Sequence, residues 1–431
     1  MKKEQFIIHG GIPLKGEVEL RGSKNAATPI LAATLLTKKP CVIDNIPLIE
    51  DVFRMLELLE SMGAKVQWLG KRKVKIHNDK IDPKKLDESI VCQLRSSVLL
   101  LGPILARFKK VTLPTPGGCV IGARSLDTHL IALKDFGVKI RGVSEKYSFE
   151  LNDRTLEKNH DIILKEFSVT TTENVLMFAS LLPKTTIVRL AASEPHVQDL
   201  ARFLVKMGSQ IDGIGTHYLT IKGKKDLGSA EFCLSPDYIE AGTLLIAIAA
   251  TKGQATVKNV RIDHIEAILY KLREMGVRMK IKHKKNNFAD VLILPSRALK
   301  ASTIQTLPYP GLPTDIQAPF GILATQATGT TLIHDPMYEG RLRYVSELNK
   351  MGANCMLSDA HRAFIVGPTP LYGNYITSFD IRAGATLLIA GLIARGKTVI
   401  DNIYQVDRGY EKIEKRLRKM GANIKRVRSV E

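Results

Sequence analysis

Apolar and polar positions in this chain repeat on two scales. On the short scale, an amphipathic stretch runs into a glycine, and alternating apolar residues follow it. This signature occurs six times, as in Leu59-Glu60-Ser61-Met62-Gly63-Ala64-Lys65-Val66 and Leu133-Lys134-Asp135-Phe136-Gly137-Val138-Lys139-Ile140. The other four copies are Leu204 to Ile211 around Gly208, Leu272 to Met279 around Gly276, Leu348 to Cys355 around Gly352, and Leu417 to Ile424 around Gly421. Such a pattern predicts a helix that ends at a left-handed glycine and passes into a strand.

On the longer scale, each signature is preceded by a more apolar helix and a strand. Asn25 to Leu36 with Cys41 to Ile46 is the first copy, and Ile381 to Ala394 with Thr398 to Ile403 is the last. Strands such as Lys73 to His77 and Tyr218 to Lys222 follow the glycine. The predicted unit is helix, strand, helix, strand, strand. Successive glycines lie 68 to 76 residues apart, longer than solenoid repeats, so the units read as small α/β subdomains. The first helix of each unit is apolar nearly all round and should be buried.

Six units divide as three and three. The first trio runs from about Ser23 to Leu234, giving a domain at 23–234 that carries a loop around Cys119. The second domain, 1–22 and 235–431, is predicted to be discontinuous, with Gln5 to Leu20 completing the last unit's sheet as two strands. The chain would cross between domains near Arg21-Gly22-Ser23 and Leu234-Ser235-Pro236, and a clamp with its ligand in the cleft is the expectation.

Composition narrows the function classes. The 431 residues are 45% hydrophobic and 25% charged, an ordinary globular balance. The five cysteines are odd in number, widely spread and without metal-ligand spacing, which predicts a reducing cytoplasm and no disulfide framework. The N-terminal stretch lacks the apolar core of a signal peptide, and no apolar run reaches membrane-spanning length. A net charge of +20 raises the prospect of nucleic acid, but the lysines are scattered and aromatics are only 6%. The excess reads as solvated surface plus a minority of arginines serving a small anion.

Candidate chemistry sits in two kinds of place. In Pro116-Gly117-Gly118-Cys119-Val120-Ile121-Gly122-Ala123-Arg124, two glycines allow a tight turn before the thiol. Arg124 would both lower a thiol pKa and attract an anion. The other place is the start of each inner helix, which is polar: Lys24-Asn25, Arg95-Ser96-Ser97, Thr170 to Glu173, Asp237 with Glu240, Asp315 with Gln317, and Asp380 with Arg382. Thr170, Thr172 and Asp237 are read as helix caps. Lys24, Arg95 and Arg382 only donate, so they cannot cap, and a cation there opposes the helix dipole until an anion arrives. With Arg124, Arg341 and Arg408 they suggest a site for phosphate and carboxylate groups. Asp315 ends a rigid Pro308 to Thr314 loop, where it suits either a general base or a helix cap.

Four separated motifs then carry a resemblance over the whole length. Arg21-Gly22-Ser23-Lys24-Asn25-Ala26-Ala27, the Cys119 loop, Pro313-Thr314-Asp315 and Asp407-Arg408-Gly409-Tyr410-Glu411 resemble the enolpyruvyl transferases that act on UDP-N-acetylglucosamine. The resemblance implies a two-domain inside-out α/β barrel, each domain built of three repeated units with buried helices. It also implies transfer of enolpyruvate from phosphoenolpyruvate to the sugar's 3-hydroxyl, the first committed step of peptidoglycan synthesis. By this resemblance Lys24, Asn25, Arg124 and Arg408 hold phosphoenolpyruvate. Cys119 is the proton donor and the site of fosfomycin alkylation, and Asp315 takes the hydroxyl proton. Arg95, Arg124, Ser125, Leu126, Asp127, Thr128, Ser168, Val169, Asp315 and Met337 match the UDP-sugar contacts. Arg341, Asp380 and Arg382 match supporting cleft charges.

The resemblance implies no metal and no organic cofactor, and two small-molecule substrates, phosphoenolpyruvate and UDP-N-acetylglucosamine; neither nucleic acid nor membrane is expected as partner, and the sequence does not give the oligomeric state, for which a monomer is the expectation. The sequence departs from the family at Thr170, where glycine is usual, at Glu166, near which a lysine is usual, at Gly340 in place of asparagine, and at Ser125 in place of proline. The rival readings are a 5-enolpyruvylshikimate-3-phosphate synthase, an RNA-modifying enzyme related to RNA 3′-phosphate cyclase, and a non-catalytic sugar-nucleotide sensor.

Overall fold

The computed structural model describes residues 4–117, 126–296 and 298–428, and within them the chain forms two compact units. One comprises residues 4–21 and those from 236 onward; the other comprises 22–117 and 126–235. Each has its own hydrophobic core.

In the 22–235 unit the inner elements are the helices Lys24–Ala33 and Val169–Ala179, and a 3-10 turn Arg95–Leu100 that continues as the helix Leu101–Phe108. In the other unit they are Tyr238–Ala250, Thr314–Thr325 and Ile381–Ile393. Tyr238–Ala250 is buried at every position, as its all-round apolar sequence requires. The outer helices are amphipathic; Pro195–Met207, for example, buries one face and exposes Arg202, Val205 and Lys206. Gly63, Gly137, Gly208, Gly276, Gly352 and Gly421, which follow the outer helices, all adopt φ between 83° and 113°. Only glycine enters that region without a Cβ clash, so the recurring residue is the one that can turn a helix end into a strand.

Six sheets are present among the described residues, five of four strands and one of three. The antiparallel part of each follows the predicted order. For example, Cys41–Asp44 pairs with Lys73–His77, which pairs with Lys65–Gly70. The fourth strand is parallel to the first and was not anticipated from sequence. His160–Ile163, Ile304–Gln305 and Tyr375–Thr377 each precede an inner helix and lie beside the strand after it.

The N-terminal segment corrects one expectation. Glu4–His9 does join the last unit's sheet, between Lys397–Asp401 and Asn423–Arg428. Lys15–Glu19 does not: it runs parallel to Gln254–Arg261 in the fourth unit's sheet. The matching segment Glu231–Cys233 runs parallel to Cys41–Asp44 in the first unit's sheet. Each of these strands thus fills the parallel position in the unit the chain is about to leave. Among the described residues no helix is long and apolar enough to cross a membrane.

Candidate active site

In the 22–235 unit, Ser23 caps the first inner helix by accepting from the Ala26 amide, so Lys24 stands at the first helical position. Its Nζ lies 2.9 Å from the Asp51 carboxylate, and that carboxylate is 5% exposed. The cation that opposes the helix dipole is therefore partnered inside the unit. Asn25 beside it is half-buried. Arg95, also half-buried, opens a 3-10 turn rather than an α-helix.

A chain of neutral groups joins two of the predicted sugar-nucleotide residues, Thr128 and Ser168. Thr171 Oγ1 donates to Thr128 Oγ1 at 2.9 Å, and the Ser168 hydroxyl lies 2.8 Å from Thr171 Oγ1. His129, next to Thr128, is buried with Nε2 3.1 Å from Thr170 Oγ1 and Nδ1 3.2 Å from the Asn174 amide nitrogen. Asn174 Nδ2 can only donate, so Nδ1 accepts and Nε2 carries the proton. Burial, and then the charge of Arg95, lower the His129 pKa to about 3, in keeping with a neutral ring. Asn174 also donates to the Val98 carbonyl and accepts from the Gly102 amide at 2.7 Å, tying two inner helices together.

The cap reading of two threonines fails here. Thr170 serves His129, whereas Thr172 donates back to the Ser168 carbonyl and accepts from the Ala192 amide. A buried partner outcompetes the free N–H groups of the helix end, which Ser168 leaves without a side-chain cap. Glu173 on the same helix is 2% exposed, and burial together with the charge of Glu194 pushes its pKa well up. Leu126 and Asp127 begin the outer helix Asp127–Asp135, where Asp127 is exposed, and Val169 is half-buried at the start of the inner one.

In the unit from 236 onward the chemistry is ionic. Asp315 is the second residue of the helix Thr314–Thr325 and does not cap it; Arg341 Nη2 lies 2.6 Å from its Oδ1 and Arg382 Nη2 2.9 Å from its Oδ2. Of its two local readings, the cap is therefore set aside. Both guanidinium groups are buried, which opposes their charge, yet carboxylates outweigh this and hold their pKa values above normal: Asp315 with Asp380 for Arg341, and Asp315 foremost for Arg382. Asp380 caps its helix, accepting from the amides of Arg382 and Ala383 at 2.8 and 3.0 Å. Asp237 does likewise, as predicted, accepting from Ile239 and Glu240.

Supporting groups fix these arginines. Arg382 Nη1 donates to the buried Tyr410 hydroxyl at 3.1 Å, which lies 3.1 Å from Thr243 Oγ1. The Gln317 amide donates to the Arg341 carbonyl, and the Tyr344 hydroxyl donates to Gln317. Arg408, 6% exposed, donates to the Gln405 side chain at 3.1 Å. Met337 is half-buried, with its amide 3.1 Å from Asp335 Oδ1.

Cys119, Arg124 and Ser125 lie outside the described residues. The approach to their loop is defined: a Cβ added at Gly117 would sit 1.5 Å from the Cys92 carbonyl oxygen, so only glycine fits there. Burial raises the thiol pKa of Cys41 and Cys233, and that of Cys355 to about 12, so none of these three is activated. Among the described residues no three His, Cys, Asp or Glu side chains gather as a metal-binding group. His129, Asn174, Thr171 and Tyr410 were not read as site residues from sequence. The signals were present without a role attached: Thr171 stands in the polar Thr170 to Glu173 helix start, Tyr410 in the Asp407 to Glu411 motif, and His129 directly follows Thr128.

The model of the EPSP synthase (3-phosphoshikimate 1-carboxyvinyltransferase) family matches residues 8–417. A UDP-N-acetylglucosamine 1-carboxyvinyltransferase from Treponema denticola is 40% identical over 423 residues, covering 97% of this chain and 98% of that one. Another from Coxiella burnetii is 41% identical over 426 residues, covering 99% and 96%. The enolpyruvyl transferase NikO from Streptomyces tendae superposes with a TM-score of 0.87 at 23% identity, covering all of both chains. An EPSP synthase from Acinetobacter baumannii gives 0.74 at 18% identity, covering 99% of this chain and 100% of that one. These two structures share the α/β fold. With the family model matching residues 8–417 and relatives near 40% identity each covering 97% or more of its length, the chain belongs to the EPSP synthase family of enolpyruvyl (1-carboxyvinyl) transferases.

Proposed function

We propose that this protein transfers the enolpyruvyl group of phosphoenolpyruvate to the 3-hydroxyl of UDP-N-acetylglucosamine, releasing phosphate, in the first committed step of peptidoglycan synthesis. The observation that carries the reading is 40% identity, over 97% of the chain, to a transferase of that name. In the addition step the sugar oxygen bonds to C2 of phosphoenolpyruvate while C3 gains a proton. Loss of a C3 proton and of phosphate from C2 then restores the double bond.

Asp315 accepts the hydroxyl proton in this reading. Two guanidinium groups hydrogen-bond its two oxygens and hold the carboxylate in place. Cys119 supplies the C3 proton. Lys24, Asn25, Arg124 and Arg408 bind phosphoenolpyruvate, with Lys24 aimed by Asp51. The sugar nucleotide is bound by Arg95, Arg124 to Thr128, Ser168, Val169, Asp315 and Met337. The hydroxyl chain through Thr128, Thr171 and Ser168 supports grouping two of these segments, the starts of the helices Asp127–Asp135 and Val169–Ala179. Arg341, Asp380 and Arg382 support Asp315.

The fold's finer organisation is read as an inside-out α/β barrel of six units, divided at 22 and 235. Six glycines of like φ and six sheets support it. The four described cysteines are free, which supports a cytoplasmic location.

A second reading follows from the family model's description: the acceptor would be shikimate 3-phosphate. Phosphate release from phosphoenolpyruvate separates the two. The expected result is release that requires UDP-N-acetylglucosamine and is blocked by fosfomycin; release with shikimate 3-phosphate alone would overturn the assignment.

A further inference from the structure

Asp335 is fully buried, and among the described residues no basic side chain pairs with its carboxylate. Three neutral donors satisfy it instead. Thr306 Oγ1 donates to Oδ1 at 3.0 Å, Thr314 Oγ1 to Oδ2 at 2.5 Å, and the Met337 amide to Oδ1 at 3.1 Å. The backbone is pinned as well: the Asp335 amide donates to the His361 carbonyl at 2.8 Å, and the Asp335 carbonyl lies 2.8 Å from His361 Nδ1. A carboxyl group buried away from water needs its oxygens hydrogen-bonded, and these three donors, drawn from three separate segments, supply that.

What they hold together are two segments on the acceptor side, the helix start at Thr314 and the stretch that begins at Met337. Thr314 is the first residue of the helix Thr314–Thr325, directly before Asp315. Met337 begins the stretch that leads to Arg341, whose guanidinium reaches back to Asp315. Thr306 follows the short strand Ile304–Gln305 and anchors the same carboxylate to the sheet. One carboxylate thus fixes both the helix start that carries Asp315 and the loop that carries its partner.

We propose that Asp335 is a positioning residue for the acceptor side of the reaction: it sets the Asp315 carboxylate and the Met337 backbone in mutual register. The proposal rests on the reading of Asp315 as proton acceptor and of Met337 as a sugar-nucleotide contact. It places no substrate contact on Asp335 itself.

The test uses four variants of the full chain, with kcat and the KM for each substrate measured beside thermal unfolding. Thr314→Val removes one hydroxyl and keeps the shape. It should lower kcat on the order of 10-fold and raise the acceptor KM, leaving the phosphoenolpyruvate KM unchanged; Asp335→Asn should do the same more strongly, up to about 100-fold. Thr306→Val, on the side away from Asp315, should lower the melting temperature without this kinetic split. In the Asp335→Asn background, Thr314→Val should cost little more, because both break one link. Wild-type kcat and acceptor KM in a folded Thr314→Val protein would overturn the proposal, as would an equal kinetic effect of Thr306→Val. Should Asp335→Asn fail to fold, the two threonine variants still decide. Asp315→Asn, run in parallel, tests the underlying reading separately: wild-type turnover there would remove the proton-acceptor role, whatever the threonine variants do.

Discussion

At the start of the inner helix Thr314–Thr325 a half-buried carboxylate meets two guanidinium groups, whereas at the start of Val169–Ala179 the meeting groups are hydroxyls, an imidazole and an amide. Both places open a buried helix, and both need their polar atoms satisfied. The ionic set gains strong, short contacts but pays desolvation for each charge, so its net stabilisation is small and its intact state is all or nothing. The neutral set costs less to bury, and each bond contributes about 1 kcal/mol. Charge is thus retained where the proposed proton transfer and anion binding need it, and avoided where residues have only to be held in line.

The comparison can be broken most sharply at Arg382. Replacing it by Met leaves Asp315 with one guanidinium partner and Tyr410 with none. Urea unfolding should show a loss of about 3 kcal/mol or more, the range for a broken buried pair. A loss below about 1 kcal/mol would put this pair in the surface class. Next comes Asn174→Ala in the neutral set, which takes the side-chain partner from the Gly102 amide and from His129 Nδ1. The expected cost is about 1 to 3 kcal/mol, with the phosphoenolpyruvate KM unaffected.

The last effect concerns pH and is read over the narrow span from pH 7 to pH 5. In the unfolded chain the His129 imidazole takes a proton below about pH 6.5; in the folded chain it does so only near 3. Between these values the unfolded state binds more protons. The contribution of His129 is therefore whole above pH 6.5 and is lost as pH falls toward 3, by at most about 1.4 kcal/mol per unit. His129→Gln should flatten that part of the stability curve, measured as the difference between wild type and variant at pH 7 and pH 5. Glu173 acts in the opposite sense, because its raised carboxyl pKa makes the folded state bind the extra proton, so its contribution is lost as pH rises. An unchanged slope in His129→Gln would mean that the ring is not held neutral.

How much of this was legible in the sequence follows from the length over which each signal acts. The helix-to-strand glycines are local, and Gly63 to Gly421 adopt the φ that their pattern demanded. The parallel fourth strands were missed because Ile304–Gln305 or Tyr375–Thr377 offers only two or three residues, too few for an alternation to show. Lys15–Glu19 was assigned to the wrong sheet because partner choice is a tertiary matter that strand character does not encode. Lys24 and Arg382 stood out as donors at helix starts, but their partners Asp51 and Asp315 lie 27 and 67 positions away. Thr170 and Thr172 looked like caps because local rules favour that use, and His129 and the Ala192 amide, both distant in sequence, claimed them.

The central claim is that Asp315, held between Arg341 and Arg382, takes the acceptor's proton. It is tested most directly by turnover of Asp315→Asn with phosphoenolpyruvate and UDP-N-acetylglucosamine, alongside calorimetric binding of the sugar nucleotide. The account predicts a fall in kcat of about 10²- to 10⁴-fold with binding retained. Turnover within a few-fold of wild type, in a variant that still binds the sugar nucleotide, would contradict it.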